Sequence, residues 1–147
     1  MKLSEIMTPE VVTIEPEATL QQAAQMMAAL DIGMLPVMVD DDLLGVITDR
    51  DIAVRSAARG LDPKRTQVRS VMTEAAICGS EMQEIAQGAR QMMTHRIRRL
   101  PVLDLHQRLV GIVSLGDVAK ALDDKCLAGE ALSAISESAV PVPSARK

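Results

Sequence analysis

Apolar residues fall along this chain in two rhythms, and the order of the rhythms repeats. A short apolar run at 11–14 (VVTI) predicts a strand. Leu20, Ala23, Ala24, Met27 and Leu30 then recur at the three- and four-residue spacing of one helix face. Thr19, three places before Gln22, supplies a capping-box start for that helix. Residues 35–39 and 43–47 are apolar runs on either side of Asp40-Asp41-Asp42, which predicts a hairpin with a solvated acidic turn. Thr48, with Asp51 three places on, opens a second helix. The order then recurs. A strand is expected at 76–78, a helix burying Ile85, Gly88, Ala89 and Met92, and a hairpin of 100–103 and 109–113 around His106-Gln107-Arg108. Ser114 with Asp117 again opens a helix.

The recurrence is one of residues as well as of pattern. Sliding the chain until Met7-Thr8 meets Met72-Thr73 also brings Gln22 onto Gln87, Met27 onto Met92, and Leu35-Pro36-Val37 onto Leu100-Pro101-Val102. One extra residue in the second hairpin turn then brings Gly45 onto Gly111 and Asp51-Ile52-Ala53 onto Asp117-Val118-Ala119. Two β-α-β-β-α units in tandem predict an α+β fold. The units are expected at 1–60 and 69–126, with a turn-rich, charged linker at 61–68. The extension at 127–147 is expected to carry helix to about Ile135 and to be disordered beyond it.

Composition narrows the chemistry. The chain has no Phe, Tyr or Trp but 10 Met, so its core must be aliphatic, and a base-like ligand would lie between aliphatic side chains. A net charge of −4 argues against a general nucleic-acid binder. The 2 cysteines, Cys78 and Cys126, form no CxxC, and the 2 histidines, His95 and His106, are isolated, so no metal is expected. No apolar run suits a membrane span or a signal peptide, and the expected location is the cytoplasm. Asp49 and Asp51 form a carboxylate pair, but no histidine or nucleophile accompanies them, and no enzymatic activity is expected.

Met-Thr before the first strand, Leu-Pro-Val in the hairpin and Gly-x-x-[Ser/Thr]-x-x-Asp after it, all present twice, resemble the CBS domain, the family named after cystathionine β-synthase. The likeness covers about residues 1–125 and is nearest to small stand-alone bacterial CBS pairs. It implies a Bateman module, in which two units pack sheet to sheet about a pseudo-two-fold axis and leave two clefts that take adenosine-containing ligands. It also implies a homodimer, a regulatory role and an unidentified protein target.

On the residues alone, Thr48/Asp51 and Ser114/Asp117 read most simply as capped helix starts. The resemblance adds a role for each, with the hydroxyl on a phosphate and the carboxylate on a ribose diol. One cleft would then comprise Thr48, Asp51, Ile47, Ile77, Cys78, Leu100 and Pro101. The other would comprise Ser114, Asp117, Ile112, Thr13, Ile14, Met34, Leu35 and Pro36. Arg98 and Arg99 replace Gly33 and Met34 of the first unit and resemble the basic segment that meets phosphates in the γ subunit of AMP-activated protein kinase. Two adjacent arginines would suit a di- or triphosphate, and the two clefts should differ. The candidate ligands are AMP, ADP and ATP, with S-adenosylmethionine and NAD as further adenosyl compounds. A different class of function is a ligand-free dimerising interaction protein linked to stress or, through Cys78 and Cys126, to oxidation.

Overall fold

Thr19 caps the first helix, α1 (Leu20–Leu30), as its spacing to Gln22 predicts: its hydroxyl accepts from the Gln22 amide at 3.2 Å, and its own amide donates to Gln22 Oε1 at 2.9 Å. The structure, a computed structural model, describes residues 1–74, 77–122 and 125–136. Ala76, the tail at 137–147 and the side chain of Cys126 lie outside the described residues. Leu20, Ala23 and Met27 of α1 are buried. Ala24 and Leu30, expected on the same face, are exposed. They lie at the two edges of the apolar stripe, and a helix resting on one small sheet buries only the middle of it.

Both hairpins form. Strand β1 (Met34–Val39) pairs antiparallel with β2 (Asp42–Thr48). A short strand, β3 (Thr73–Glu74), adds to the free edge of β2. In the second unit β4 (Gly79–Ser80) runs parallel to β5 (Arg99–Leu103), which pairs antiparallel with β6 (Leu109–Ser114). The two hairpins carry a register irregularity at the same place, between Val37 and Met38 and between Val102 and Leu103. The leading strands are shorter than the apolar runs suggest. Only Ile14 of 11–14 bridges to Val37, and pairing in the second unit begins at Gly79 rather than at 76–78. The N–H of Ile14 donates to Pro36 O and its carbonyl accepts from Met38 N, so one residue satisfies two ladder positions.

Between the units α3 (Ile85–His95) repeats α1, with Ile85, Gly88, Ala89 and Met92 buried as the spacing predicts. The helices after the hairpins differ. In the first unit α2 (Asp49–Asp51) widens at once into a π-turn, Ile52–Ser56, and closes as a 3-10 turn, Ala57–Arg59. In the second, α4 (Leu115–Ala121) is regular. A separate helix, α5 (Lys125–Ser136), comes after it, packs against α3 and places Ile135 in the second core.

Each unit borrows its opening segment from the other. Thr8 exchanges backbone hydrogen bonds with Ile112 of β6 at 2.8 and 3.0 Å, while β3 lies on β2 of the first unit. Leu3 sits fully buried in the second core with Ile85, Met92 and Leu100. Its repeat counterpart Val68 sits fully buried in the first core with Leu20, Leu35 and Ile47. Burying such a side chain contributes about 2 kcal/mol, which fastens each segment to the unit it does not precede. The repeated glycine of the hairpins serves this exchange. A Cβ on Gly45 would run into the backbone carbonyl of Thr73, and one on Gly111 would lie 2.5 Å from Met7 Sδ. Both glycines are there for close approach.

Candidate ligand cleft

Ser114 ends β6 and caps α4, which fixes the chemistry of the helix start. Its hydroxyl accepts from the Asp117 amide at 3.1 Å, and its amide donates to Asp117 Oδ2 at 2.8 Å. The Leu115 amide donates to Arg98 O at 2.8 Å. The first unit repeats the box, with Thr48 Oγ1 accepting from Asp51 N at 3.0 Å and Thr48 N donating to Asp51 Oδ2 at 3.1 Å. There the Asp49 amide goes to Gly33 O at 3.0 Å and the Arg50 amide to Asp49 Oδ1 at 2.8 Å. The two hydroxyls act in these caps as acceptors and keep their own O–H to donate, while the amides of Thr48, Asp49, Asp51, Ser114, Leu115 and Asp117 already have partners.

The two sites diverge around this shared box. Asp51 is only 8% exposed, and Arg55 Nε lies 3.8 Å from its Oδ1. The Arg55 guanidinium also donates to the carbonyls of Val71 and Met72, so it ties Asp51 to the segment that enters β3. Ala121 stands where Arg55 would recur, and Asp117 is more open than Asp51. Asp49 adds a carboxylate beside Thr48, whereas Leu115 occupies that place in the second unit. The Asp117 side therefore lacks the second carboxylate that Asp49 adds beside Thr48 and leaves its Asp without a nearby arginine at the position of Arg55.

A cavity of about 390 Å³ lies there, within the range of small-molecule sites. The second unit contributes Arg99, Ile112, Ser114 and Asp117 to it, and the first contributes Leu30, Ile32 and Met34. Residues 8–12, which run from the β6 bridge at Thr8 toward the β1 bridge at Ile14, form a strap along its remaining wall.

Of the residues expected in this cleft, Met34, Ile112, Ser114 and Asp117 line it, and Arg99 joins them. Leu35 does not: strand alternation turns it into the first core, where it is fully buried. Pro36 is buried in β1 opposite Val46. Thr13 and Ile14 border a separate open groove beside α1. Arg98, adjacent to Arg99 in sequence, is exposed and outside the lining.

The residues expected in the other cleft are less gathered. Thr48 and Asp51 form their capping box, but Ile47 and Leu100 are fully buried in the two cores. The position that matches Ile112 is Val46, since each comes directly after the hairpin glycine. Naming Ile47 instead slips the strand by one residue, which turns the side chain to the opposite face. Pro101 is buried in β5, and Ile77 packs on the second core. Cys78 is half-buried; its carbonyl accepts from Gln91 Nε2 at 2.7 Å, and burial pushes its thiol above the usual 9.0. The strap, Leu30 and Ile32 carry no motif that would assign them to the cleft from sequence. Among the described residues there is no cluster of His, Cys, Asp and Glu able to hold a metal ion, and no helix is long and apolar enough to cross a membrane.

Two α+β repeat units that share one cleft and exchange their leading segments define a tandem-repeat module. The chain belongs to the CBS-domain family: the family model "CBS domain" matches residues 3–57 and 68–124. It is 40% identical over 134 residues to CBS domain-containing protein YhcV of Bacillus subtilis, covering 91% of this chain and 94% of that one. A solved structure of Hypoxic Response Protein I with two coordinated zinc ions superposes with a TM-score of 0.76 at 36% identity, covering 83% of this chain and 99% of the other. The structure of CBSX2 in complex with AMP gives a TM-score of 0.70 at 25% identity, over 82% and 94% of the two chains.

Proposed function

We propose that this chain is a regulatory module that binds an adenosyl ligand in the Asp117 cleft and reports occupancy through the packing of its two units. One observation carries the reading. The cavity joins apolar side chains from both units to an arginine and a hydroxyl–carboxylate pair. Met34, Ile32 and Ile112 offer a purine an aliphatic sandwich, which a chain without aromatic rings must use. Asp117 Oδ2 is held by the Ser114 amide, and its other oxygen can accept from a ribose diol. Arg99 supplies a planar cation for a phosphate. A relative solved with AMP supports the same class of ligand.

Because the strap and both units line the cavity, a ligand touches every part whose arrangement could change. A second copy of this chain, or a separate protein target, would read that change. The alternative, a ligand-free partner protein switched by oxidation, is disfavoured at Cys78, since a thiol raised by burial forms little of the reactive thiolate.

Isothermal titration calorimetry with AMP tests the proposal. Saturable binding that weakens at least tenfold in Asp117→Asn, with the thermal transition of the unliganded variant kept, supports it. AMP at 100 times its Kd should also stabilise the wild type by about 2.7 kcal/mol. Absence of saturable binding by any adenosyl compound overturns it.

A further inference from the structure

Among the described residues, Glu10, Asp31, Asp40, Arg96 and Gln107 hold a positive φ without being glycine. Asp31 and Arg96 are the left-handed C-caps of α1 and α3, and Asp40 and Gln107 sit in the hairpin turns. Glu10, at φ 55°, belongs to neither kind of site. It lies in the strap and lines the cleft. Gly or Asn would hold that backbone at lower conformational cost, yet the position carries a charged side chain.

We infer that Glu10 sets the charge of the ligand this cleft accepts, restricting it to a single phosphate, so that the preferred occupant is a nucleoside monophosphate. The inference rests on the adenosyl-ligand reading above and narrows it. Three charged side chains line the cavity: Arg99 is positive, and Glu10 and Asp117 are negative. None of the ion pairs among the described residues involves Glu10 or Arg99, and both are exposed members of the lining, so a ligand in the cavity meets each through solvent-screened charge. One phosphate is matched by the single guanidinium. A second or third phosphate meets no further cation in the lining, because Arg98 lies outside it. Each added phosphate therefore brings negative charge to a cleft whose own charges already sum to −1 (one Arg against Glu10 and Asp117).

The test is calorimetric titration of the full chain with AMP, ADP and ATP in magnesium-free buffer, so that no cation masks the phosphates. The wild type is compared with Glu10→Gln, which keeps the size of the side chain, and with Arg99→Met, the residue of the first unit. The expected wild-type order is AMP tightest and ATP weakest, by roughly tenfold. E10Q should raise the affinity for ATP roughly fivefold more than that for AMP, and added salt should narrow the wild-type gap more than the E10Q gap. R99M should weaken AMP while sparing adenosine. ATP binding as tight as AMP in the wild type, or an ATP-to-AMP ratio unchanged in E10Q, overturns the inference while leaving the adenosyl reading intact. If adenosine, AMP, ADP and ATP all fail to bind, the adenosyl reading falls, and this inference with it.

Discussion

Leu3 occupies the notch that Gly88 leaves in helix α3: a Cβ on Gly88 would lie 2.9 Å from Leu3 Cδ2. The first unit solves the same contact in reverse, with the smaller Val68 in the core that holds Ala23. Gly88→Ala should therefore crowd Leu3 and cost about 1–3 kcal/mol, set against the roughly 1 kcal/mol that alanine gains in a helix. Adding Leu3→Val should restore stability to the wild-type level or above. A urea-denaturation double-mutant cycle checks this, and additive effects of the two changes would refute it.

The two hairpin glycines should respond unequally to alanine. At Gly45 the added methyl meets the backbone of Thr73, which cannot rotate away, whereas at Gly111 it meets the flexible side chain of Met7. Gly45→Ala is expected to cost more than about 3 kcal/mol and Gly111→Ala about 1–2 kcal/mol. Chemical denaturation of the two variants side by side would show the order.

Arg55 stitches the first unit to the segment entering β3 through the carbonyls of Val71 and Met72. Arg55→Met keeps much of the aliphatic stem and removes these bonds. A loss of about 1–3 kcal/mol should result, as for hydrogen bonds to a charged group. Hydrogen exchange should quicken first at residues 71–74, with the amides of β5 and β6 little affected.

Asp104 is expected to contribute to the acid limb of stability. Its carboxylate accepts from the amides of His106 and Arg108 and from the Arg108 guanidinium at 2.8–2.9 Å, and these bonds hold it below the usual 3.8. A carboxylate depressed on folding contributes stability above its unfolded pKa and loses that contribution as pH falls through the folded value. The contribution is thus whole at neutral pH and declines below about pH 4. Urea midpoints should fall more steeply with acid for the wild type than for Asp104→Asn over that range.

What the sequence discloses here is whatever is local. Capping boxes at Thr19, Thr48 and Ser114 link residues three apart, and both hairpins are flanked by their own turn residues, so pattern alone finds them. The cleft is harder because its lining depends on which face each strand residue takes. Counting from Gly45 and Gly111 assigns Val46 and Ile112 to one face, while the hydrophobicity of Ile47 suggests it equally. Arg98 and Arg99 look like a pair in sequence, but only Arg99 reaches the lining. The crossing of the leading segments could not be read at all, since Thr8 and Ile112 are joined by a pairing that no local rhythm encodes.

That crossing means the covalent order of the chain and its physical halves do not coincide. A cut in the linker at 61–66 would leave one fragment holding Leu3, which completes the other fragment's core, and a second holding Val68, which completes the first. Neither piece would be self-sufficient, but each carries the plug the other lacks. The two should reassociate as split-protein partners, with the duplicated unit acting as its own complementation system.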